Sequence, residues 1–326
     1  MNEEMVNLYG DFAHLMKSQT IDGDHFVYKL NEKYGTGTII LYKILDGAYI
    51  GLHNYKGLKN IDAQKTAYTD SSSYREALLV QYCIQGHLVS NLKGGLSCTI
   101  AKGETLFFAG SGTLESMIAI EPSIRGVVVL CERGAFAEPL AKALLIKPDD
   151  VTNYFSSISR QPFVVKTNRY NAGIISKLQS YIEDNEVPMI RIRGLELLYD
   201  IIKNHEDYKN SSKGGYKKEL IDRIMSVKEY ISANPESNHT LPALALKFGV
   251  SETYLKAVFK YVYEISVAAY ASQNRLEYAK KLLLETDLSI TAIAGKIGYA
   301  NQSKFSKAFK KQFSQLPSSY RRDNKN

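Results

Sequence analysis

Two stretches in the last third of the chain can be laid over each other, and this repeat narrows the possible folds more than any other feature. LPALALKFGVSETYLKAVFK, from Leu241, aligns with ITAIAGKIGYANQSKFSKAFK, from Ile290. Leu241, Leu244, Ala245, Phe248 and Gly249 match Ile290, Ile293, Ala294, Ile297 and Gly298 at an offset of 49, while Leu255 and Phe259 match Phe305 and Phe309 at an offset of 50. The second copy therefore has one extra residue in its turn. Each copy reads as a short helix, a tight turn at glycine, and a second helix opened by a polar cap, Ser251 or Asn301. Small Ala245 and Ala294, four residues before the glycines, let the two helices approach closely, as a helix-turn-helix requires. Many helical hairpins carry one such pattern by chance, but a tandem pair is hard to obtain that way.

Two further helices frame the repeat. In KKELIDRIMSVKEYISANP, Leu220, Ile221, Ile224, Val227, Tyr230 and Ile231 recur at helical spacing, and Asn234-Pro235 ends the run. Between the copies, Ala269, Leu276, Ala279, Leu282 and Leu283 share one broad face behind the cap Ser266. Val267 to Leu284 would be a rod of about 27 Å, at ~1.5 Å per residue, comparable with the ~34 Å between successive major grooves. One chain could then reach two adjacent grooves.

Charge points the same way. The polar run Ser211 to Gly215, SSKGG, reads as a flexible linker. After it, residues 216–326 hold 18 Lys and Arg against 10 Asp and Glu, a net of +8, whereas residues 1–215 hold 23 against 24. A basic domain beside a neutral one is the electrostatic footprint expected of nucleic-acid binding, with a merely solvated basic surface as the plainer alternative.

These residues resemble the AraC/XylS family of transcription regulators. The likeness covers roughly residues 217–322: the ALALKFGVS turn, Leu255 with Phe259, Arg275-Leu276, Ala279 with Leu282-Leu283, Ile293-Ala294, Gly298-Tyr299, Phe305 with Phe309, and Pro317 with Tyr320-Arg321. Glu264 and Ser314 depart from it, since the family usually has glycine after each recognition helix, and Leu316 replaces a usual Ser or Thr. The resemblance implies double-stranded DNA as partner, RNA polymerase as a second protein partner, and a homodimer.

On the first recognition helix, Leu255, Val258, Phe259 and Val262 form the expected core stripe, leaving Glu252, Thr253, Lys256, Ala257 and Lys260 outward. Lys256 can bond guanine and Thr253 can meet a thymine methyl. Glu252 could accept from cytosine, but it suits a helix cap better. On the second, Phe305, Ala308 and Phe309 face inward and Gln302, Ser303, Ser306 and Lys307 outward, where the resemblance also places base contacts. Lys260, Lys310 and Lys311 are expected on phosphates, which fix register without reading sequence. For each, a solvated polar face is the bland alternative.

The N-terminal half alternates like short strands. TIILYKIL, AYIGLHNY, ALLVQYCI, HLVSNL, LSCTI, TLFFAG, LESMIAI and GVVVLCE are separated by Gly, Asp or Ser turns and suggest a β-sandwich or barrel. In front of such a DNA-binding signature it resembles the cupin-like ligand domain of the same family. Tyr42, Tyr49, His53, Tyr82 and His87 could anchor a small-molecule effector, although each also fits packing or surface. Tyr82, in line with Leu78, Val80 and Ile84, is the best of them. From Asn168, Ile174, Ile175, Leu178, Tyr181 and Ile182 predict one helix, and Ile192, Leu195, Leu198, Ile201 and Ile202 a second, either a dimerisation pair or packing on their own barrel. RIRGLELLYDIIK resembles the family branch that answers to iron-siderophore complexes.

The expected architecture is α+β: a cupin-like barrel or sandwich with a helical segment, then an all-α domain with two helix-turn-helix motifs on a long helix. The divisions are an N-terminal arm at 1–34, a sensor at 35–134, helices at 135–210, a linker at 211–216 and the DNA-binding domain at 217–326. Catalysis, a cofactor and a metal are not expected: His53 and His87 are isolated, no HxH occurs, and Cys83, Cys98 and Cys131 form no CxxC pair. A DNA-repair methyltransferase on the same module would need an activated thiolate, for which no setting is legible. No apolar run of membrane-spanning length and no basic signal segment is visible, so a cytosolic protein without membrane contact is expected. A regulator controlled by a protein partner remains the rival to one controlled by a ligand.

Overall fold

The computed structural model describes residues 15–23, 25–62, 77–92, 94–109, 114–132, 135–157 and 162–324. The fold is α+β, and the chain divides into two compact units between Lys217 and Lys218.

The N-terminal unit is built on antiparallel strands: β1 (Met16–Asp22), β2 (His25–Leu30), β3 (Thr36–Leu45), β4 (Ala48–Lys56), β5 (Ile61–Asp62), β6 (Ala77–Gln85), β7 (His87–Leu92), β8 (Leu96–Ala101), β9 (Glu104–Ala109), β10 (Leu114–Ala119), β11 (Ser123–Glu132), β12 (Phe163–Lys166) and β13 (Tyr216–Lys217). One sheet runs β1-β2-β3-β4-β11-β6-β9-β12 and the other β13-β8-β7-β10-β5. Alternation along the central strands of the larger sheet divides their side chains between two cores. Tyr49, Cys83, Leu88, Cys98, Ile100 and Leu106 join the core enclosed by the two sheets. Tyr42, Ile50, Val80, Tyr82, Val127 and Val129 join a second core, which the helices of the unit complete.

Those helices are α1 (Ala137–Leu144), α2 (Pro148–Ser157), α3 (Arg169–Glu183), α4 (Val187–Lys203) and α5 (His205–Asn210). Tyr170 and Asn171, at the start of α3, bond Glu196 and Asp200, in the second half of α4, so the pair is antiparallel. Ile174, Ile175, Leu178 and Ile182 are buried as the spacing predicts. Ile192 is not: it is 54% exposed, and Ile190, Gly194 and Leu197 take the inner face of α4 instead.

All eight expected strands form, but two of the expected divisions need correction. Residues 16–30, placed in an N-terminal arm, are β1 and β2, which extend the larger sheet through β3. MKSQTID lacks apolar alternation because it is an edge strand, held by backbone pairing on one side only. The run Ser211 to Gly215, read as a flexible linker, is docked. The Lys213 amide donates to the Val164 carbonyl at 2.8 Å, the Lys213 ammonium meets the buried Glu104 carboxylate at 2.5 Å, and Tyr216–Lys217 pair with Ser97 and Leu96. Composition signals flexibility, but these backbone partners lie far away in sequence.

The C-terminal unit is helical: α6 (Lys218–Ala233), α7 (Leu241–Phe248), α8 (Glu252–Tyr263), α9 (Val267–Glu285), α10 (Ile290–Lys296), α11 (Gln302–Phe313) and α12 (Pro317–Asn324). The pairs α7–α8 and α10–α11 are the two repeat copies, with α9 between them. Ala269, expected inward on α9, is exposed, while Val267 and Ala271 are buried.

Candidate nucleic-acid interface

Each recognition helix is fixed at both ends by local chemistry. The Ser251 hydroxyl accepts from the Tyr254 amide at 3.2 Å, and the Asn301 side chain accepts from the Lys304 amide at 2.9 Å, satisfying donors a helix start leaves open. The turns before them are left-handed, with φ of 63° at Gly249 and 80° at Gly298, which a side chain rarely adopts. The Val250 amide returns to the Ala245 carbonyl at 3.0 Å, and the Tyr299 amide to Ala294 at 2.9 Å. Arg223 reaches from α6 to the Gly249 carbonyl at 2.8 Å and ties the first turn down. Glu264 and Ser314, where the family usually has glycine, both end their helices at φ 60°, each amide bonding four residues back.

Packing sets which face looks out. Leu255, Val258, Phe259 and Val262 of α8, and Phe305 and Phe309 of α11, are fully buried; Ala308 is half-buried against the cluster formed by Leu276, Leu283, Ile293 and Phe305 within the same unit. Thr253, Lys256 and Lys260 are exposed on one helix, and Gln302, Ser303, Lys307, Lys310 and Lys311 on the other. Ser306 is only half-exposed. The Gln302 carbonyl oxygen accepts from the Thr291 hydroxyl at 2.6 Å, holding its amide against α10. Two exposed residues were missing from the sequence reading, Tyr254 and Lys304. The offset of 50 that aligns Leu255 with Phe305 also aligns these two, so the repeat itself carried the signal.

Lys296 of α10 pairs with Glu236 at 3.0 Å, and the Tyr278 hydroxyl donates to the same carboxylate at 2.6 Å. Those two hydrogen bonds, Tyr278 first, hold the Glu236 carboxyl below its ordinary value. Lys296 is thereby engaged within the unit, whereas the α11 lysines stand outward.

The five residues expected to line one effector pocket fall in separate places, so that expectation is revised. Tyr42 and Tyr82 lie in the helix-covered core; the Tyr42 hydroxyl donates to Asn185 at 2.8 Å, and its ring stacks on His25. Tyr49 belongs to the core between the sheets. His53 shares that strand face, 3.3 Å from the Gln81 amide and stacked on Tyr55. It packs where Gly126 leaves room, since a Cβ there would come within 2.8 Å of the ring. His87 points away from Leu88 and so from the inter-sheet core. Burial holds both histidines down to about 4, with Lys213 adding to the effect at His87. Between the sheets, Gln81, Ser90, Leu92, Cys98, Leu106 and neighbouring residues enclose about 50 Å³, room for a few waters. Small-molecule pockets are typically ~300 Å³ or more.

Beside Tyr82 lies a buried polar group. Asp200 accepts from Tyr208, from Asn171 at 2.9 Å and from Asn204 at 2.7 Å. The Tyr82 hydroxyl is buried without a hydrogen-bond partner, and burial, then the nearby Tyr208, Tyr154 and Asp200, drive its pKa well up. Cys83, Cys98 and Cys131 are buried free thiols. Burial pushes Cys98 up to about 11 and Cys131 up as well, the opposite of nucleophile activation. Among the described residues, no group of three His, Cys, Asp or Glu side chains could hold a metal ion, and no helix is long and apolar enough to cross a membrane.

Residues 244–323 match the family model described as a helix-turn-helix domain. The C-terminal unit is an AraC-type helix-turn-helix domain. Similar proteins include the HTH-type transcriptional regulator AlkR of Acinetobacter baylyi, 32% identical over 41% of this chain and 42% of that protein. The uncharacterized HTH-type transcriptional regulator YdiP of Escherichia coli is 35% identical over 37% of this chain and 41% of its own length. The chain thus spans about two-fifths of the length of these curated relatives. A solved structure, a probable AraC family transcriptional regulator from Rhodopseudomonas palustris, is 27% identical over 32% of this chain and 99% of that chain, with a TM-score of 0.31. The matched region contains both recognition helices of the AraC-type domain.

Proposed function

We propose that the chain is a sequence-specific, DNA-binding transcription regulator whose C-terminal unit binds the duplex and whose N-terminal unit governs that binding. The doubled helix-turn-helix, with two capped helices presenting polar and basic faces, carries the reading. In it, Thr253 and Lys256 meet base edges, Gln302, Ser303, Ser306 and Lys307 engage the second groove, and Lys260, Lys310 and Lys311 take phosphates. RNA polymerase would be met by the DNA-bound protein, as the family resemblance implies.

Control by a small molecule is favoured by the partnerless Tyr82 hydroxyl beside the Asp200–Asn171–Tyr208 group, which a polar ligand or water would complete. A ligand bound there would shift the population of the DNA-competent state. Control by a protein partner is favoured by the small space between the sheets. Native mass spectrometry of the full chain separates the two: a retained small molecule supports the first reading, and a bare mass with a co-purifying protein the second. A homodimer through the outer face of α3 and α4 is supported by the exposed Tyr170, Ile192 and Tyr199.

The decisive test is genomic occupancy of the tagged full chain in its host. Discrete sites upstream of genes whose transcripts change on deletion support the proposal; occupancy without such sites, or none, overturns it.

A further inference from the structure

The two recognition helices share a backbone plan and differ in what they present. Helix α8 holds two lysines and one glutamate, whereas α11 holds four lysines and no acid. The register that aligns Leu255 with Phe305 sets Tyr254, Ala257 and Tyr261 against Lys304, Lys307 and Lys311. Three uncharged positions of the first copy are therefore lysines in the second.

Base discrimination needs groups of definite shape and hydrogen-bonding sense, and lysines placed along a helix flank supply charge instead. In α8, Tyr254 is 57% exposed, and its amide is held by the Ser251 cap, so the ring projects from an ordered first turn, the part of a recognition helix that meets base edges. A tyrosine there offers an apolar ring for a thymine methyl and a hydroxyl for an adjacent base edge, at the cost of ordering only two side-chain torsions. Thr253 precedes it, and Lys256, three residues after Thr253, lies on the Thr253 side of the helix rather than beside Tyr254. In α11 two of the three uncharged polar groups able to read bases are compromised, leaving Ser303: Gln302 is engaged by Thr291, and Ser306 is half-buried.

We propose that the two motifs divide the work. The first discriminates base pairs through Thr253, Tyr254 and Lys256, with Tyr254 as a specificity-determining residue, and the second anchors the phosphate backbone through Lys304, Lys307, Lys310 and Lys311 with little preference for sequence. This rests on the DNA-binding reading above.

The test is selection of the full chain against a randomised duplex library, followed by salt titrations on the enriched sequence. The parent should enrich one half-site with strong base preferences and a second, about one helical turn away, with weak ones. Tyr254→Ala should lose roughly 5- to 150-fold of discrimination at one or two base pairs of the strong half-site and keep its salt slope. The pair Lys304→Ala and Lys307→Ala should keep the parent's base preferences, weaken all sequences alike and lower the salt slope by about 1.8, at ~0.9 per phosphate contact. All these side chains are exposed, and urea midpoints matching the parent's would show that the fold is intact. Half-sites of equal information, a changed base preference in the lysine pair, or parental preferences in Tyr254→Ala overturn the division while the DNA-binding reading stands. A parent that enriches nothing and shows no salt slope contradicts that reading, and the division with it.

Discussion

Among the described residues, every buried polar or charged side chain, from His53 to Asp200, lies in the N-terminal unit, whereas the buried side chains of the C-terminal unit are apolar. The two units thus keep their chemistry in opposite places. The AraC-type domain has an apolar core, with most of its polar groups facing outward. The N-terminal unit spends stability on internal hydrogen bonds and neutral histidines, groups that respond to protonation, hydration or a ligand. A polar surface and a polar interior call for different perturbations, and the comparison can be broken from either side.

The largest effect should come from the apolar scaffold. Phe309 is fully buried in α11, against Phe305, Phe313 and Tyr320. Phe309→Ala should cost about 3–5 kcal/mol in the urea unfolding of residues 218–326 and abolish DNA binding with it. A loss under 1 kcal/mol would mean that this core is not close-packed.

Asp200→Ala is its counterpart in the N-terminal unit. It removes the acceptor of Tyr208, Asn171 and Asn204, leaving buried donors unsatisfied, and should destabilise that unit by about 2–4 kcal/mol while leaving the C-terminal transition in place. A shift of both transitions together would show that the units unfold as one.

Acid should separate the units next. His53 and His87 take up a proton near the ordinary value of 6.5 when unfolded and at about 4 when folded. Their contribution is therefore full above pH 6.5 and is lost as pH falls from there to about 4, roughly 2 kcal/mol for each histidine by pH 5. Urea midpoints at pH 7.5 and pH 5 should fall for residues 1–217 much more than for 218–326, and His53→Gln should reduce the difference.

The smallest effect concerns the two left-handed helix ends. A side chain at φ 60° costs about 1–2 kcal/mol, and glycine's freedom in the unfolded chain returns ~0.4–1 kcal/mol of that. Glu264→Gly and Ser314→Gly should each stabilise residues 218–326 by up to about 1.5 kcal/mol, seen as a higher urea midpoint, Glu264→Gly more because it also removes an anion from a helix C-terminus. A lower midpoint for both would mean that the carboxylate and hydroxyl stabilise these ends by contacts other than the backbone.

The same contrast explains what the sequence disclosed. In the C-terminal unit, periodicity alone placed Leu255, Phe259, Phe305 and Phe309, and the caps Ser251, Ser266 and Asn301 act as their residue types predict, because helix chemistry is local. The central strands were legible for the same reason, since TIILYKIL and GVVVLCE alternate or run apolar. β12 and β13 were not, because they are short and their partners, β9 and β8, lie far away in sequence; β1 pairs with its neighbour β2, but MKSQTID carries no alternation of its own. Ile192 shows the limit of periodicity: inner positions on α4 went to Gly194 and Leu197 through close approach to the sheet, which hydrophobicity does not encode. The residues expected to anchor an effector do not share one face, because Tyr42 and Tyr82 project to one side of their sheet and Tyr49 and His53 to the other.

The central claim is that DNA binding resides in residues 218–326. Fluorescence anisotropy of a labelled duplex with residues 1–217 and 218–326 measured separately, from 50 to 200 mM salt, tests it most directly. The account predicts binding by 218–326 alone, weakening steeply with salt as released counterions require. Equal binding by the two fragments, or binding by 218–326 that salt leaves unchanged, would contradict it.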